Sequence, residues 1–466
     1  MTMDVAEILR RQERIGREPI PMPHPDKMQA IVEAFQAKTP SSAARFQQAQ
    51  TLLPRGSEHT LPVKLPYPLF MRQGQGSHVQ DLDGNDYVDY ILSGGAIVLG
   101  HNHPELNREI CELISARTNF HGFFDELELA AAERIVDHFP SVEKVRFTAS
   151  GSEANLAALR IARSYTGRNK VIKYRGGYHG WGDPFMADLE IPGSGRIITH
   201  GIPDELLDLT ELVYQDDLDG LEAALAGGDI AAVICEPMGA ESGLVPVSPG
   251  FHRDAIELAH RHGTLYIFDE VVTGLRVGLG GAQALQGVSP DLTTLGKGLM
   301  NGYPGCGAVC GKAEIMDTAS TGLPDERPFA YVAGTLSGNT LSVAAAYHTI
   351  RLLEQPGVMG HMQAMATDYV GKLNAMFERR GTSFFAYALG GIIRIELTAP
   401  HAVPLTSAEA IGEVMRRRGI LAHYALVVHD QGVLSRMGRD MISTAHTAED
   451  NDKAVAAYSA LIDLLV

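Results

Sequence analysis

The chain has 466 residues, of which 45% are hydrophobic and 20% charged, so it has enough apolar content for a large core. Its length predicts a division into two lobes. Its formal net charge of −17 argues against nucleic acid or an anionic membrane as a partner, because both attract basic surfaces. No signal peptide or membrane-spanning apolar run is visible, and four cysteines without framework spacing favour a reducing cytoplasm.

The N-terminal part of the chain predicts helices followed by a small antiparallel subdomain. Residues 5–15 are typical of a short charged helix, and residues 19–25 of a proline-rich linker. Periodic apolar residues within 28–53 predict further helices. Alternating residues within 67–90, with Asp83-Gly84 as a turn, predict two or three strands.

Two short patterns suggest metal ligands only weakly. His101 and His103 directly precede Pro104, a pattern more typical of a helix start with a capping residue and proline in the first turn. Cys306 and Cys310 have no second cysteine pair to complete a zinc site. We therefore expect no metal.

A predicted strand at residues 144–149 runs into a helix start that is suited to an anion. Ser150, with Glu153 three residues later, predicts a capping box. The backbone N–H groups of Gly151 and Ser152, with the Ser152 hydroxyl, could bind a phosphate dianion at the positive end of the helix. Capping boxes also occur without any ligand, so this stretch alone leaves both interpretations open.

The next predicted strand, residues 170–174, leads into a glycine-rich loop around Tyr178 and His179. Glycines on both sides would let the backbone approach a flat heterocycle on which Tyr178 could stack, although a mobile glycine loop is the alternative. Residues 230–235 predict another buried strand, which ends at Glu236. Repeated alternation of strands and helices predicts a parallel sheet with right-handed crossovers.

The most informative pair is Asp269 and Lys297. Residues 265–269 are a continuously apolar strand that brings Asp269 to the edge where open α/β sheets bind ligands, and Lys297 lies between two glycines in a later loop. An aspartate that keeps a pyridinium nitrogen protonated and a lysine that can form a Schiff base are the two protein groups that pyridoxal phosphate (PLP) chemistry requires. For either residue alone, a helix-capping Asp269 or a solvated Lys297 is the ordinary alternative.

Several motifs occur in an order that resembles the class III PLP-dependent aminotransferase family. Within it, the resemblance is greatest to the glutamate-1-semialdehyde aminomutase branch, which also contains β-amino acid and D-phenylglycine aminotransferases. The similarity extends over roughly residues 45 to 460. The motifs are residues 81–84, 100–104, 150–155, 178–180, 236–237, 268–271 with 273–274, 295–297, and 334–339.

The resemblance implies an α/β protein of PLP-dependent transferase fold type I. Such a protein has a large domain with a mainly parallel sheet, a smaller α+β domain built from both chain ends, and an obligate homodimer with active sites at the interface. The expected boundaries are 1–45 for an N-terminal extension and lead-in helix, 46–100 and 346–466 for the small domain, and 101–345 for the large PLP-binding domain.

The resemblance also assigns roles to individual residues. Lys297 corresponds to the Schiff-base lysine, which would also shuttle the substrate proton, and Asp269 to the partner of the pyridine nitrogen. The stacking aromatic is Tyr178. The other expected cofactor-binding residues are Ser150, Gly151, Ser152, His179, Glu236, Val271 and, contributed by the other subunit to the phosphate, Thr335.

The departures from the family pattern concern the substrate. Lys64 stands where the aminomutase branch has an arginine associated with the substrate carboxylate, so the charge is retained but the bidentate fork is lost. Arg72 and Arg394 are the next candidates for this contact. We therefore expect an aminotransferase acting on a small-molecule amino donor and a keto acceptor. An aminomutase-type isomerase and a catalytically inactive PLP-fold binding protein are the alternatives.

Overall fold

The computed structural model describes residues 3–59, 65–116, 123, 125–189, 191–194, 200–320, 329–405 and 407–465. Contacts between Cα atoms divide the chain into two compact units. The terminal unit comprises Met1–Pro104 with Gly357–Val466, and the central unit is Glu105–Pro356. Within the described residues, no helix is both long and apolar enough to cross a membrane.

The strands are numbered in chain order. They are β1 (Met71–Gln75), β2 (His78–Asp81), β3 (Asp86–Asp89), β4 (Lys144–Thr148), β5 (Lys170–Tyr174), β6 (Thr210–Val213), β7 (Ile230–Cys235), β8 (Val245–Pro246), β9 (Leu265–Asp269), β10 (Leu292–Gly296), β11 (Gly307–Gly311), β12 (Ala319–Ser320), β13 (Ala330–Tyr331), β14 (Phe385–Leu389), β15 (Ile392–Glu396), β16 (Val433–Leu434) and β17 (Arg439–Met441).

The helices are numbered in the same way. They are α1 (Val5–Arg17), α2 (Pro25–Lys38), α3 (Pro40–Leu52), α4 (Leu92–Gly95), α5 (Pro104–Ala116), α6 (Glu126–His138), α7 (Gly151–Thr166), α8 (Asp204–Leu207), α9 (Leu218–Leu225), α10 (Ala240–Gly243), α11 (Phe251–Arg261), α12 (Gly281–Gln286), α13 (Ala313–Met316), α14 (Thr340–Leu353), α15 (Val358–Arg379), α16 (Ala408–Asp430) and α17 (Ala448–Ile462).

The central unit is built around a seven-stranded sheet with the order β4-β11-β10-β9-β7-β5-β6. The five strands β10, β9, β7, β5 and β6 are parallel to one another, whereas β11 is antiparallel to both β10 and β4. The prediction of a mainly parallel sheet is confirmed. Every residue of β7, β9 and β10 is buried, because apolar clusters cover both faces of the sheet.

The parallel strands bring the predicted chemistry to one edge. Asp269 is the last residue of β9, Lys297 follows β10, and Glu236 follows β7. Because these strands are parallel neighbours, their carboxyl ends lie side by side. Asp269 thus lies at the carboxyl-terminal edge of the sheet, as its position after an apolar run predicts.

The start of α7 differs in one detail from the predicted capping box. Ser150 is the N-cap, and its hydroxyl accepts a hydrogen bond from the Glu153 backbone N–H. The Glu153 carboxylate bonds to the Ala149 N–H, at 2.9 Å, and not to the N-cap N–H as a capping box requires. Ser150 also continues the sheet through a bridge to Cys306.

The terminal unit contains two smaller sheets, with the orders β1-β2-β3-β16 and β14-β15-β17. The pairing of β3 with β16 joins the two ends of the chain in one sheet. Helix α1 packs into the same unit, because Gln12 donates hydrogen bonds to Tyr387 and Glu396. Helix α16 runs through Gly419 to Asp430, since buried apolar residues at 424–428 extend its packed face.

Candidate active site

Lys297 begins a turn of 3-10 helix, Lys297–Met300, immediately after β10. Its backbone φ of +45° lies in the left-handed region. The preceding Gly296 is tightly packed, because a Cβ there would lie 3.1 Å from Cγ1 of Val271 and 3.5 Å from Cα of Gly151. The half-buried lysine therefore follows a residue that lies next to Val271, one of the expected cofactor-binding residues, and next to Gly151 of the predicted phosphate cradle.

The Asp269 carboxylate is buried and held through both oxygens. Its Oδ1 accepts a hydrogen bond from the Val271 N–H at 3.0 Å. Its Oδ2 accepts one from the Asn155 side-chain amide at 2.8 Å and lies 2.8 Å from Nδ1 of His179. Because a carboxylate only accepts, Nδ1 of His179 must carry the hydrogen.

Asn155 is a residue of this cluster that the sequence analysis did not single out. Its amide nitrogen also donates to the His179 carbonyl at 3.1 Å, and its oxygen accepts from the Thr294 hydroxyl at 2.7 Å. Asn155 thereby joins α7 to the ends of β9 and β10. A signal was available, because an asparagine on an otherwise apolar helix face is a buried polar group that needs partners.

The N-terminus of α7 forms a close-fitting cradle. A Cβ on Gly151 would lie 2.8 Å from both methyl groups of Val271, so only glycine fits there. Gly180, with φ of +91°, packs so closely on Ser152 that its Cβ would lie 2.4 Å from the Ser152 hydroxyl oxygen. Gly151 and Ser152 remain half-buried, so their backbone N–H groups at the positive end of the helix are accessible to an anion.

Glu236 fixes the backbone of the loop that carries Tyr178. One of its carboxylate oxygens accepts hydrogen bonds from the N–H groups of Tyr178, at 3.0 Å, and Glu241, at 2.7 Å. Burial raises the pKa of the Glu236 carboxyl, and the nearby His179 opposes that rise. Tyr178 itself is 40% exposed.

Thr335 is exposed in the turn that precedes α14. This turn lies beside the first turn of α7 of its own chain, since a Cβ on Gly334 would lie 4.0 Å from a Glu153 carboxylate oxygen. Four exposed apolar side chains occur on nearby segments of the central unit: Leu156, Trp181, Tyr331 and Leu336.

Two of the three candidates for the substrate carboxylate, Arg72 and Arg394, are described, and both belong to the terminal unit. Lys64 lies outside the described residues. Arg72 is an exposed residue of β1 in the terminal unit. Arg394 is buried on β15 of the same unit, directly opposite Tyr387 on β14 and Arg439 on β17.

The residues considered as metal ligands have other contacts. Nε2 of His101 lies 2.7 Å from a carboxylate oxygen of Asp89. Cys306 donates to the Lys297 carbonyl and Cys310 to the Thr293 carbonyl. In the part of the chain that the structure describes, no three potential metal ligands come together.

Comparison with known proteins identifies the family. The family model "Aminotransferase class-III" matches residues 62–456. The chain therefore belongs to the class III aminotransferases, which are PLP-dependent enzymes of fold type I. The family, fold and cofactor inferred from the motifs are confirmed.

Relatives of several activities are similar to this chain. Glutamate-1-semialdehyde 2,1-aminomutase 2 of Brevibacillus brevis is 37% identical over 433 residues, which cover 90% of this chain and 98% of the relative. The crystal structure of an omega-transaminase from Sphaerobacter thermophilus has a TM-score of 0.82 and 28% identity, and covers 91% of this chain and 97% of that one. A beta-phenylalanine aminotransferase from Variovorax paradoxus has a TM-score of 0.78 and 26% identity, with 94% and 98% coverage.

The residues of the central unit fit PLP. The cradle at the start of α7 suits its phosphate, because the N–H groups at a helix N-terminus bind anions. Glycine is required at residue 151, since a side chain there would collide with Val271. The buried Asp269 suits the ring nitrogen, and Lys297 supplies an amine on the neighbouring strand end.

Proposed function

We propose that the protein is a PLP-dependent aminotransferase that moves an amino group from an amino acid or amine to a keto acid. The observation that carries the proposal is the fixed Asp269 carboxylate, held by His179 and Asn155, on the strand next to the one that ends at Lys297. β-Amino acids and other non-standard amino acids are included among the proposed donors, because a beta-phenylalanine aminotransferase is similar over 94% of the chain.

Each residue of the cluster has a proposed task. The Asp269 carboxylate keeps a proton on the ring nitrogen, while His179 and Asn155 hold its Oδ2 in place. The backbone N–H groups of Gly151 and Ser152 bind the phosphate. Tyr178 covers one face of the ring, and Glu236 fixes the Tyr178 backbone.

Bound PLP supplies an electron sink that makes the proton on the substrate's amino-bearing carbon acidic. With the cofactor bound, Nζ of Lys297 would take up this proton and give it back, so that one amine would act as both base and acid. Val271 packs closely against Gly296, the residue that precedes the lysine.

A second candidate function is a glutamate-1-semialdehyde-type 2,1-aminomutase, an isomerase. The 37% identical relative from Brevibacillus brevis supports it about as strongly as the similar transaminase structures support transfer. Lys64 in place of the expected arginine favours transfer, because lysine cannot form the bidentate contact that arginine makes with a carboxylate.

A panel of amino donors, each mixed with the PLP-loaded protein in single turnover, tests the proposal. An aminotransferase releases one keto product per site and leaves the cofactor as its amine, whereas an aminomutase releases an isomerised amino compound and returns the cofactor unchanged. Lys297→Ala should abolish turnover while PLP remains weakly bound through its phosphate and ring contacts. Normal turnover by Lys297→Ala would disprove the assignment of the active site.

The active protein is also proposed to be a homodimer in which Thr335 of one chain contacts the phosphate held by the other. The exposed turn around Thr335 and the four exposed apolar side chains near it support a second copy of this chain as the partner.

A further inference from the structure

A second lysine of the central unit is buried, and the proposed reaction does not use it. Lys173 on β5 has no exposed surface, and its Nζ donates a hydrogen bond to the Ala187 carbonyl. Burial lowers the pKa of Lys173 to about 8, while the charges of Asp188 and Glu236 oppose that change. Burying an ammonium group costs free energy, so an apolar residue at this position would give a more stable strand. The ammonium contacts a segment that contains Ala187.

The segment that Lys173 holds is residues 183–189, which follow the loop of Tyr178 and His179. Asp188 in this segment is fully buried and has φ of +54°, a conformation that a non-glycine residue rarely adopts. Its carboxylate lies 3.4 Å from the Arg175 guanidinium and accepts the Gly193 N–H at 2.9 Å. Lys173 and Arg175 on one side, and Gly193 on the other, thus fix the strained turn.

The same segment packs against the ring of His179. Phe185 is fully buried and lies edge-on to that ring, with centroids 5.9 Å apart and an angle of 74° between the planes. Nδ1 of His179 is bonded to Asp269, but its buried Nε2 has no hydrogen-bond partner among the described residues. The orientation of the ring therefore depends on one hydrogen bond and on packing, to which Phe185 and Gly177 contribute.

We propose that Lys173 is a positioning residue for the Asp269 carboxylate. Its ammonium fixes residues 183–189 through the Ala187 carbonyl, while Arg175 holds the Asp188 carboxylate, so that Phe185 keeps the His179 ring against Asp269. The inference rests on the proposed function, in which Asp269 serves the ring nitrogen. It is separable from that function, because the position of His179 can be observed without cofactor.

The central variant is Lys173→Met, which removes the ammonium but keeps a long flexible side chain. Lys170→Met is a matched control, because Lys170 is on the same strand and forms a partly exposed ion pair with Glu211. Lys173→Arg tests whether a cation alone suffices. If Lys173→Met fails to fold, Phe185→Leu decides, since it removes the ring contact and leaves the lysine.

The first measurement uses protein without cofactor and follows the downfield proton NMR signal of the His179 Nδ1–H, assigned by its loss in His179→Gln. Lys173→Met and Phe185→Leu should broaden or abolish this signal through faster exchange with water. Lys170→Met should leave it unchanged, and Lys173→Arg should restore it at least in part. The single tryptophan, Trp181, is two residues from His179 and gives a second, fluorescent reporter of the same loop.

The second measurement uses the PLP-loaded enzyme. Displacement of a positioned catalytic group by a remote substitution costs roughly a hundredfold in rate, so Lys173→Met should lower kcat by about ten- to a hundredfold with KM little changed. An unchanged His179 signal in both Lys173→Met and Phe185→Leu, or an unchanged kcat, would overturn the inference. Failure of the wild-type protein to bind PLP would instead overturn the proposed function, whatever the NMR signal does.

Discussion

Gly151 and Val271 are packed so closely that any side chain on Gly151 would collide with both methyl groups of Val271. The contact joins the start of α7 to the end of β9, and so sets the distance between the proposed phosphate cradle and Asp269. A shift of either element would change that distance.

Gly151→Ala should therefore weaken PLP binding by about tenfold or more, because the start of α7 must move to relieve a 2.8 Å contact. Titration of PLP followed by visible absorbance measures the affinity. Gly371→Ala on α15 is the control, since a Cβ there meets nothing within 4 Å and alanine favours a helix. Unchanged affinity in Gly151→Ala would show that the phosphate binds elsewhere.

Asp269→Asn should keep PLP bound but lower the rate by several orders of magnitude, because a neutral amide cannot keep the ring nitrogen protonated. Single-turnover rates with one donor measure the effect. A rate near that of the wild type would remove Asp269 from the proposed mechanism.

Asn155→Ala should have a smaller effect, of about ten- to a hundredfold on kcat, since it removes one of the two hydrogen bonds to Oδ2 and leaves the one from His179. Val271 still donates to the other oxygen, so KM should change little. An effect as large as that of Asp269→Asn would mean that Asn155 does more than position the carboxylate.

Lys297→Ala and a Thr335 variant with a bulky replacement, Thr335→Trp, should each be inactive alone but active when their subunits are mixed. In the mixed dimer one of the two shared sites carries neither change, so equal mixing with free exchange should restore about a quarter of the wild-type activity. Mass-tagged chains report the extent of exchange. Mixed dimers that have exchanged subunits and remain inactive would show that Thr335 serves its own chain or none.

Glu396→Gln should change how stability depends on pH. Burial raises the pKa of Glu396 to about 7, from an ordinary value of 4.5, with Arg394 and Gln12 opposing the rise. The folded chain thus binds an extra proton between these values, so the wild type should lose about 3 kcal/mol from this group as pH rises from 4.5 to 7. Chemical unfolding of both proteins at several pH values gives the difference between their free energies of unfolding. The contributions of the titrating groups that both proteins share cancel in this difference. A difference that is constant with pH would contradict the expectation.

Those parts of the site whose residues lie close together in the sequence could be predicted from it. Asp269 could be placed at the edge of the sheet because an apolar run ends there, and the cradle of Ser150 to Ser152 because a strand, a glycine and a cap occur together. Asn155 could not be paired with Asp269 in this way, because the two are 114 positions apart and only the parallel packing brings them together.

The same limit applies to the loops. That Glu236 binds the Tyr178 and Glu241 amides depends on the adjacency of β5 and β7, which alternation of strands and helices does not specify. The length of α16 does not follow from helix propensity alone, because Gly419 lies within it and packing by residues such as Leu426 continues the helix beyond that glycine.

The pairing of β3 with β16 has a consequence for how the chain folds during synthesis. Residues 86–89 of β3 cannot complete their sheet until residues 433 and 434 have been made. The central unit, in contrast, is one continuous stretch, Glu105–Pro356. We therefore expect that unit to fold first on the ribosome, while the N-terminal 104 residues keep apolar surface exposed to chaperones until the last strands emerge.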